Sequence, residues 1–170
     1  MSKQINLPRQ LYSKGGIDVT KEQILVMKPG RDLDIAVALE IMGFIWLKHL
    51  LQFSAELAVK WLGTPADIEE SGGVYTILKD GDLVSLKERE DFAEAVPAFS
   101  MNIVTAKQVV ERMESLGYTY SLEQKIEQGS PIYDASFQKI DLPFYDRTTG
   151  CSTEAEAIVK AALLAVLCSE

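Results

Sequence analysis

The chain has 170 residues, 47% of them hydrophobic and 25% charged, which is enough for one globular domain with a full core. A net charge of −8 and a pI near 4.8 argue against a nucleic-acid polymer as partner, because a phosphate backbone is held by a positive field. A small anion remains compatible with that charge, since a pocket for one needs only a few local cations or helix N-termini.

The opening MSKQINLPRQ lacks the apolar run of a secretion signal, and LPRQLYSKGGIDV reads as an extended arm that orders against a neighbour. Thr20 and Gln23 match a capping box that should open a short helix, KEQILVM, ended by Pro29-Gly30. From Gly30 the period is helical. Leu33, Ala36, Val37, Ile41 and Phe44 share one face, and Ile35, Leu39, Met42 and Trp46 the opposite one. A helix apolar on both sides over 31–46 is either sandwiched or packs with one side on a partner copy, so a homo-oligomer is expected.

WLKHLLQFSAELAVKWLG continues the apolar spacing and reads as a second helix, or as the first one extended past a kink at Gly43. The window from Phe44 to Leu62 carries Lys48, His49, Gln52, Glu56 and Lys60, too polar to span a membrane. TPADIEESGG reads as a loop. VYTIL and LVSL flank Asp80-Gly81 as the two strands of a hairpin. KEREDFAEAVPAF is charged surface. Ser100 to Leu116 forms a helix with an Ile103, Ala106, Val110, Met113 stripe, capped by Ser100 or Asn102 and stopped by Gly117. YTYSLEQKI and IYDASFQKI are strands joined at QGSP. Thr153 and Glu156 form a second capping box before a small, apolar last helix, EAEAIVKAALLAVL. Helices at both ends around strands give an α+β fold: a three-layer α-β-α sandwich whose short, mainly antiparallel sheet is flanked by helices.

Candidate chemistry is sparse. Asp32 and Asp34 stand two apart, about 200° around a helix, so they cannot hold one metal ion between them; they suit a helix N-terminus instead. Arg31 can pair with Asp34 or turn towards a ligand at the helix start. His49 is the sole histidine, which rules out multi-histidine metal sites and disfavours a histidine-based triad. No dinucleotide or P-loop glycine motif is present, so no cofactor is implied. Cys151 and Cys168 flank the last helix; about 15 residues at a rise of about 1.5 Å hold the thiols far beyond disulfide reach. Cys151 precedes a helix start, where a thiol pKa can fall, although a buried inert thiol suits it better. What remains is a set of polar groups at helix starts (Ser100 and Asn102; Arg147 to Thr153) with aromatics near them in sequence: Trp46, Phe99, Phe144 and Tyr145.

PGRDLDIAVALEIMGF, PAFSMNIVTAKQVVERMESLGYTYSL and STEAEAIVKAALLAVL together resemble the phage ABA-sandwich domain of small bacteriophage proteins. Gly30, Arg31, Leu33, Asp34, Met42, Gly43, Pro97, Ser100, Ile103, Ala106, Val109, Val110 and the stretch from Ala161 to Ala165 carry the likeness. The sequence departs from that pattern at Met101-Asn102, where Thr-Asp is usual, and at Lys107, where a Trp is expected. The resemblance implies a phage protein in the cytoplasm of the infected host, an α-β-α fold and no established enzyme. On this reading, residues 1–26 are an arm and short helix. Residues 27–170 are one domain with an inserted helix and hairpin region at about 47–95.

The functional expectation is a counter-defence protein, not an enzyme, that sequesters a nucleotide-derived immune second messenger of cyclic nucleotide or cyclic ADP-ribose type. Arg31, Trp46, Phe99, Ser100, Asn102, Tyr145 and Arg147 are its expected ligand-binding residues, with no catalytic or metal-ligating residue. An acidic protein–protein inhibitor of a host enzyme is the alternative, and a hydrolase of such messengers fits least.

Overall fold

The computed structural model describes residues 19–50, 58–78, 85–89, 95–141, 148 and 150–167. Two compact units are present. One comprises residues 19–43 with 96–170, and the other residues 44–95.

In the larger unit, α1 (Lys21–Val26) starts at the expected capping box, with Thr20 Oγ1 accepting from Gln23 N–H and the Gln23 side chain accepting from Thr20 N–H. Helix α2 (Arg31–Glu40) follows Gly30, whose φ of 140° and ψ of −164° suit a residue without a Cβ. It ends six residues before Trp46, earlier than the periodicity suggested, and its first apolar stripe is buried, whereas Leu39 on the second, and Met42 just beyond the helix, are half-buried. Leu33, Ala36 and Val37 on one side and Ile35 and Ala38 on the other are all inaccessible or nearly so.

Helix α4 (Ile103–Ser115) runs as expected from its Asn102 cap to the turn at Gly117, which takes φ 88°. Strands β5 (Tyr118–Glu127) and β6 (Ser130–Lys139) form a two-stranded antiparallel ribbon. Its tight turn has positive φ at both Gln128 (51°) and Gly129 (83°), the type I′ geometry that matches strand twist. Helix α5 (Glu154–Leu167) is the centre of the unit. Every residue from Ala155 to Ala165 is buried, and the helix packs against β6, α4, α2 and α1. Its alanines at 155, 157, 161, 162 and 165 let those neighbours approach closely, as an all-round apolar helix requires.

The smaller unit corrects the sequence reading at two points. The stretch expected to be helical is instead β1 (Ile45–Leu50) and β2 (Ala58–Gly63), paired antiparallel with Leu47 opposite Trp61. Apolar residues at 46, 47, 50, 61 and 62 satisfy helical and strand spacing alike, and cross-strand burial of Leu47 and Leu62, both fully inaccessible, favours the sheet. TPADIEESGG is not a loop: α3 (Pro65–Glu70) begins at a Thr64–Asp67 capping box with Pro65 in its first turn. The hairpin expected of VYTIL and LVSL falls partly on residues 79–84, which lie outside the described residues. β3 (Tyr75–Ile77) pairs with β1 and β4 (Lys87–Glu88) pairs parallel with β2, at opposite edges of a β3-β1-β2-β4 sheet; Asp80-Gly81 lie outside the described residues.

The architecture is thus α+β, with five helices among the described residues and mainly antiparallel pairing, but the strands divide between two sheets. No helix among the described residues is long and apolar enough to cross a membrane. Truncation at the centre of α5 tests where the core lies. Leu163→Ala, at a position with no exposed surface, is expected to cost about 2–5 kcal/mol in urea unfolding, against less than about 0.5 kcal/mol for Val104→Ala on the exposed side of α4.

Candidate functional site

The starts of α2 and α4 are brought together by one serine. Pro97 and Ala98 lead into a tight turn in which Phe99 N–H donates to Pro97 O (2.9 Å) and Asn102 N–H to Ala98 O (2.9 Å). That turn buries Phe99 and Ser100 completely or nearly so. Ser100 N–H then donates to Asp34 Oδ1 at 2.7 Å, and Ser100 Oγ accepts from Gly30 N–H at 2.8 Å. The Gly-Arg-Asp-Leu-Asp segment and the Phe-Ser-Met-Asn segment, 66 to 70 residues apart in the chain, are therefore one polar junction.

Asp34 is the surprise of that junction. It is 6% exposed, and burial raises its carboxyl above the usual range against the opposing effect of the Ser100 hydrogen bonds. Asp32 stays exposed in the first turn, as a residue favoured by the helix dipole. Arg31 is exposed at the helix start, and Gly30 supplies no side-chain cap. On the α4 side, Asn102 Oδ1 accepts from Val104 N–H at 2.9 Å, while Met101 and Val104 stand 69% and 66% exposed beside it.

Of the seven expected ligand-binding residues, the structure gathers Arg31, Phe99, Ser100 and Asn102 around this junction. Phe99 is sealed in the core, and the Ser100 hydroxyl is engaged with Gly30. Trp46 lies on β1 of the smaller unit, 8% exposed, with Lys60 Nζ 5.6 Å from its ring centroid. Tyr145 and Arg147 lie outside the described residues. His49 is also on β1, edge-on to Tyr75 at 4.9 Å between ring centroids.

Two further polar clusters were not legible as units. Inside α5, Lys160 Nζ donates to Glu156 Oε1 (2.7 Å) and to Leu25 O of α1 (2.9 Å), while Glu156 Oε2 accepts from Ser152 N–H (3.1 Å) and Oγ (3.0 Å). Burial pushes the Glu156 carboxyl up, but the hydrogen bond and charge of Lys160, helped by Ser152, outweigh it and hold the group below its ordinary 4.5. The expected capping box is thus half formed: Glu156 N–H does donate to Thr153 Oγ1 (3.2 Å), but the Glu156 side chain serves Ser152 and Lys160. Beside it the Cys151 thiol, 6% exposed, is pushed up by burial and then by the Glu156 charge, the opposite of an activated helix-start cysteine.

The second cluster lies on β6. Asp134 Oδ1 accepts from Gly150 N–H (2.9 Å) and Oδ2 from Lys125 Nζ (2.8 Å). On the same outer face is a hollow of about 210 Å³ lined by Thr119, Ser121, Glu123, Asp134, Ser136 and Gln138. Its carboxylates make it a poor seat for phosphate.

No family model matches the sequence, and no curated protein does. Among solved structures, the crystal structure of a phage protein from Bacillus cereus ATCC 14579 is similar, with 23% identity and a TM-score of 0.44 over 83% of this chain and 94% of that one.

Two outcomes follow from the buried charges. Lys160→Met should cost about 3–5 kcal/mol by leaving Glu156 buried without its cation, whereas Glu156→Gln with Lys160→Met should recover most of that loss in the same denaturation assay. The acid dependence of the two carboxylates should be opposite in sign. Glu156, lowered when folded, contributes stability above 4.5 that is lost as pH falls through its folded pKa, so the penalty of Glu156→Gln shrinks on acidification. Asp34, raised when folded, contributes stability below 3.8 that is lost as pH rises through its folded pKa, so wild type gains on Asp34→Asn as pH falls.

Proposed function

We propose that this chain is a phage-encoded binding protein that sequesters a nucleotide-derived immune second messenger of its host, of cyclic nucleotide or cyclic ADP-ribose type, without turning it over. The reading rests on the motif resemblance for its phage setting and on one geometric observation for its site. That observation is the convergence of the α2 and α4 starts on Ser100, with Arg31 exposed at the uncapped end of α2. The starts of these helices, of 10 and 13 residues, meet at Ser100, and the N-terminal amides of a helix suit a phosphate oxygen. Arg31 adds a fixed positive charge that offsets Asp32, and exposed Met101 and Val104 offer apolar contact for a base or ribose.

The buried ionisable groups favour storage over turnover. Asp34, Asp134, Glu156 and Lys160 each hold hydrogen bonds that tie elements together, and the Cys151 thiol is raised, not activated. The net charge of −8 favours the second reading, an acidic inhibitor that covers a host enzyme.

Calorimetry against cyclic dinucleotides, cyclic oligonucleotides and cyclic ADP-ribose isomers should give binding to one of them and no product over hours. Arg31→Ala should weaken that binding about tenfold or more while keeping the wild-type circular dichroism spectrum. No heat and no thermal shift with any of these compounds removes the proposal. A stable host protein recovered by pull-down, with no nucleotide released on heating, replaces it with the inhibitor reading.

A further inference from the structure

The two outer edges of the β5–β6 ribbon are treated differently. In a type I′ hairpin the residues flanking the turn, Glu127 and Ser130, exchange hydrogen bonds, and the ladder then alternates. The odd-numbered residues of β6 must therefore direct their backbone groups away from β5. They do: Tyr133 N–H donates to Cys151 O (2.9 Å), Cys151 N–H donates back to Tyr133 O (3.1 Å), and Thr148 N–H donates to Ala135 O (3.0 Å). That edge is closed by the chain itself.

By the same parity, the even-numbered residues of β5 present their N–H and C=O groups to the opposite edge. Tyr118, Tyr120, Leu122, Gln124 and Ile126 form this row. Among the described residues no strand pairs with β5 except β6, and no backbone hydrogen bond reaches this row. Folded proteins protect a ten-residue edge of this kind, or they use it. Ile126, 66% exposed at the far end, is an apolar side chain that the ribbon leaves uncovered.

We propose that the outer edge of β5 pairs antiparallel with β5 of a second copy of this chain, with Gln124 on the two-fold axis, so that two ribbons join into one four-stranded sheet. Charge and side-chain size select both the occupant and the register. A two-fold normal to the sheet sets each residue opposite one at equal distance beyond the axis. Centred on Gln124, Glu123 faces Lys125 of the second copy and Lys125 faces its Glu123, while Leu122 and Ile126 face each other twice. The overlap then runs over residues 121–127. A register centred on Glu123 sets that carboxylate against itself, and one centred on Lys125 sets lysine on lysine and Glu123 on Glu127. Centring on Leu122 leaves Glu123 and Lys125 opposite hydroxyls, and centring on Ile126 overlaps the strands only over residues 125–127. Gln124 alone combines two opposite-charge pairs with two apolar ones.

The arrangement also suits the local charge. Within one copy Lys125 lies 2.8 Å from Asp134 and 3.8 Å from Glu123. A facing copy sets its own Lys125 opposite Glu123.

Sedimentation velocity and oxidative cross-linking of the full chain test this directly, with no ligand present. Wild type should sediment as a dimer, or as a higher even oligomer built from it. Gln124→Cys should form a covalent dimer under mild oxidation, because opposed residues in an antiparallel ladder lie about 4.5–5.5 Å apart, within disulfide reach. Leu122→Cys should not cross-link beyond the wild-type background, since its own copies stand about 13 Å apart in this register. Glu123→Lys should weaken association about tenfold or more while keeping the wild-type circular dichroism spectrum. Mixing Glu123→Lys with Lys125→Glu should restore the dimer as a heterodimer. A monomeric wild type, cross-linking at position 122 in place of 124, or a dimer indifferent to Glu123→Lys overturns the proposal.

Discussion

Helix α5 has no exposed side, yet it carries a lysine and a glutamate. The fold depends on how that conflict is resolved. An ammonium and a carboxylate buried in an apolar helix are tolerable only when each finds enough partners to replace water. Placed four apart, Glu156 and Lys160 satisfy each other, and their remaining capacity reaches outward: Lys160 to the Leu25 carbonyl of α1, Glu156 to the Ser152 amide and hydroxyl. The pair does more than cancel charge. It fixes where α1 crosses α5, and it fixes the turn through which the chain enters the helix. Alanines supply close packing around it, but packing alone is indifferent to small slides of one helix along another, and a directional hydrogen bond is not.

The Ser100 junction solves the same kind of problem between α2 and α4. Gly30 leaves the start of α2 without a side-chain cap, and Asp34 puts a carboxylate one turn inside a helix that is otherwise sealed. Ser100 meets both needs, since its hydroxyl accepts from the Gly30 amide and its own amide donates to Asp34. A serine at this point must be buried to do so, which is why Phe99 beside it is also driven into the core. The Ser100 hydroxyl, which looked available for chemistry in isolation, is thereby drawn into a joint between two distant segments.

Much of the larger unit was legible in the sequence for a plain reason. Its helices announce themselves with local signals: the Thr20–Gln23 capping box, the Asn102 cap and Gly117 stop of α4, and the turn at Gln128-Gly129 between alternating strands. Where those signals were present but weaker, the reading failed. Thr64 and Asp67 form a capping box around Pro65, and the segment still passed for a loop because no apolar stripe follows it. The stretch from Ile45 to Gly63 reads equally well at a period of two or of three to four, and only the pairing of β1 with both β2 and β3 decides between them. Asp34 was legible as a helix-start acid and not as a buried acceptor, since its partner lies 66 residues away and spacing along one helix carries no trace of it.

These facts limit what the candidate site can recognise. With the Ser100 hydroxyl engaged and Phe99 sealed, side-chain recognition at the junction falls to Arg31, Asn102 and the exposed apolar pair Met101 and Val104. Asn102 already gives its oxygen to Val104 N–H, so what it has to offer a ligand is its amide nitrogen, a donor. The groups the proposed site offers a guest are backbone amides, the Arg31 guanidinium and the Asn102 side-chain amide, all of them donors. Against them stand Asp32, exposed, and Asp34, buried and with its carboxyl raised. A surface of donors is suited to oxygen-rich anionic ligands, and it offers little to a cationic one.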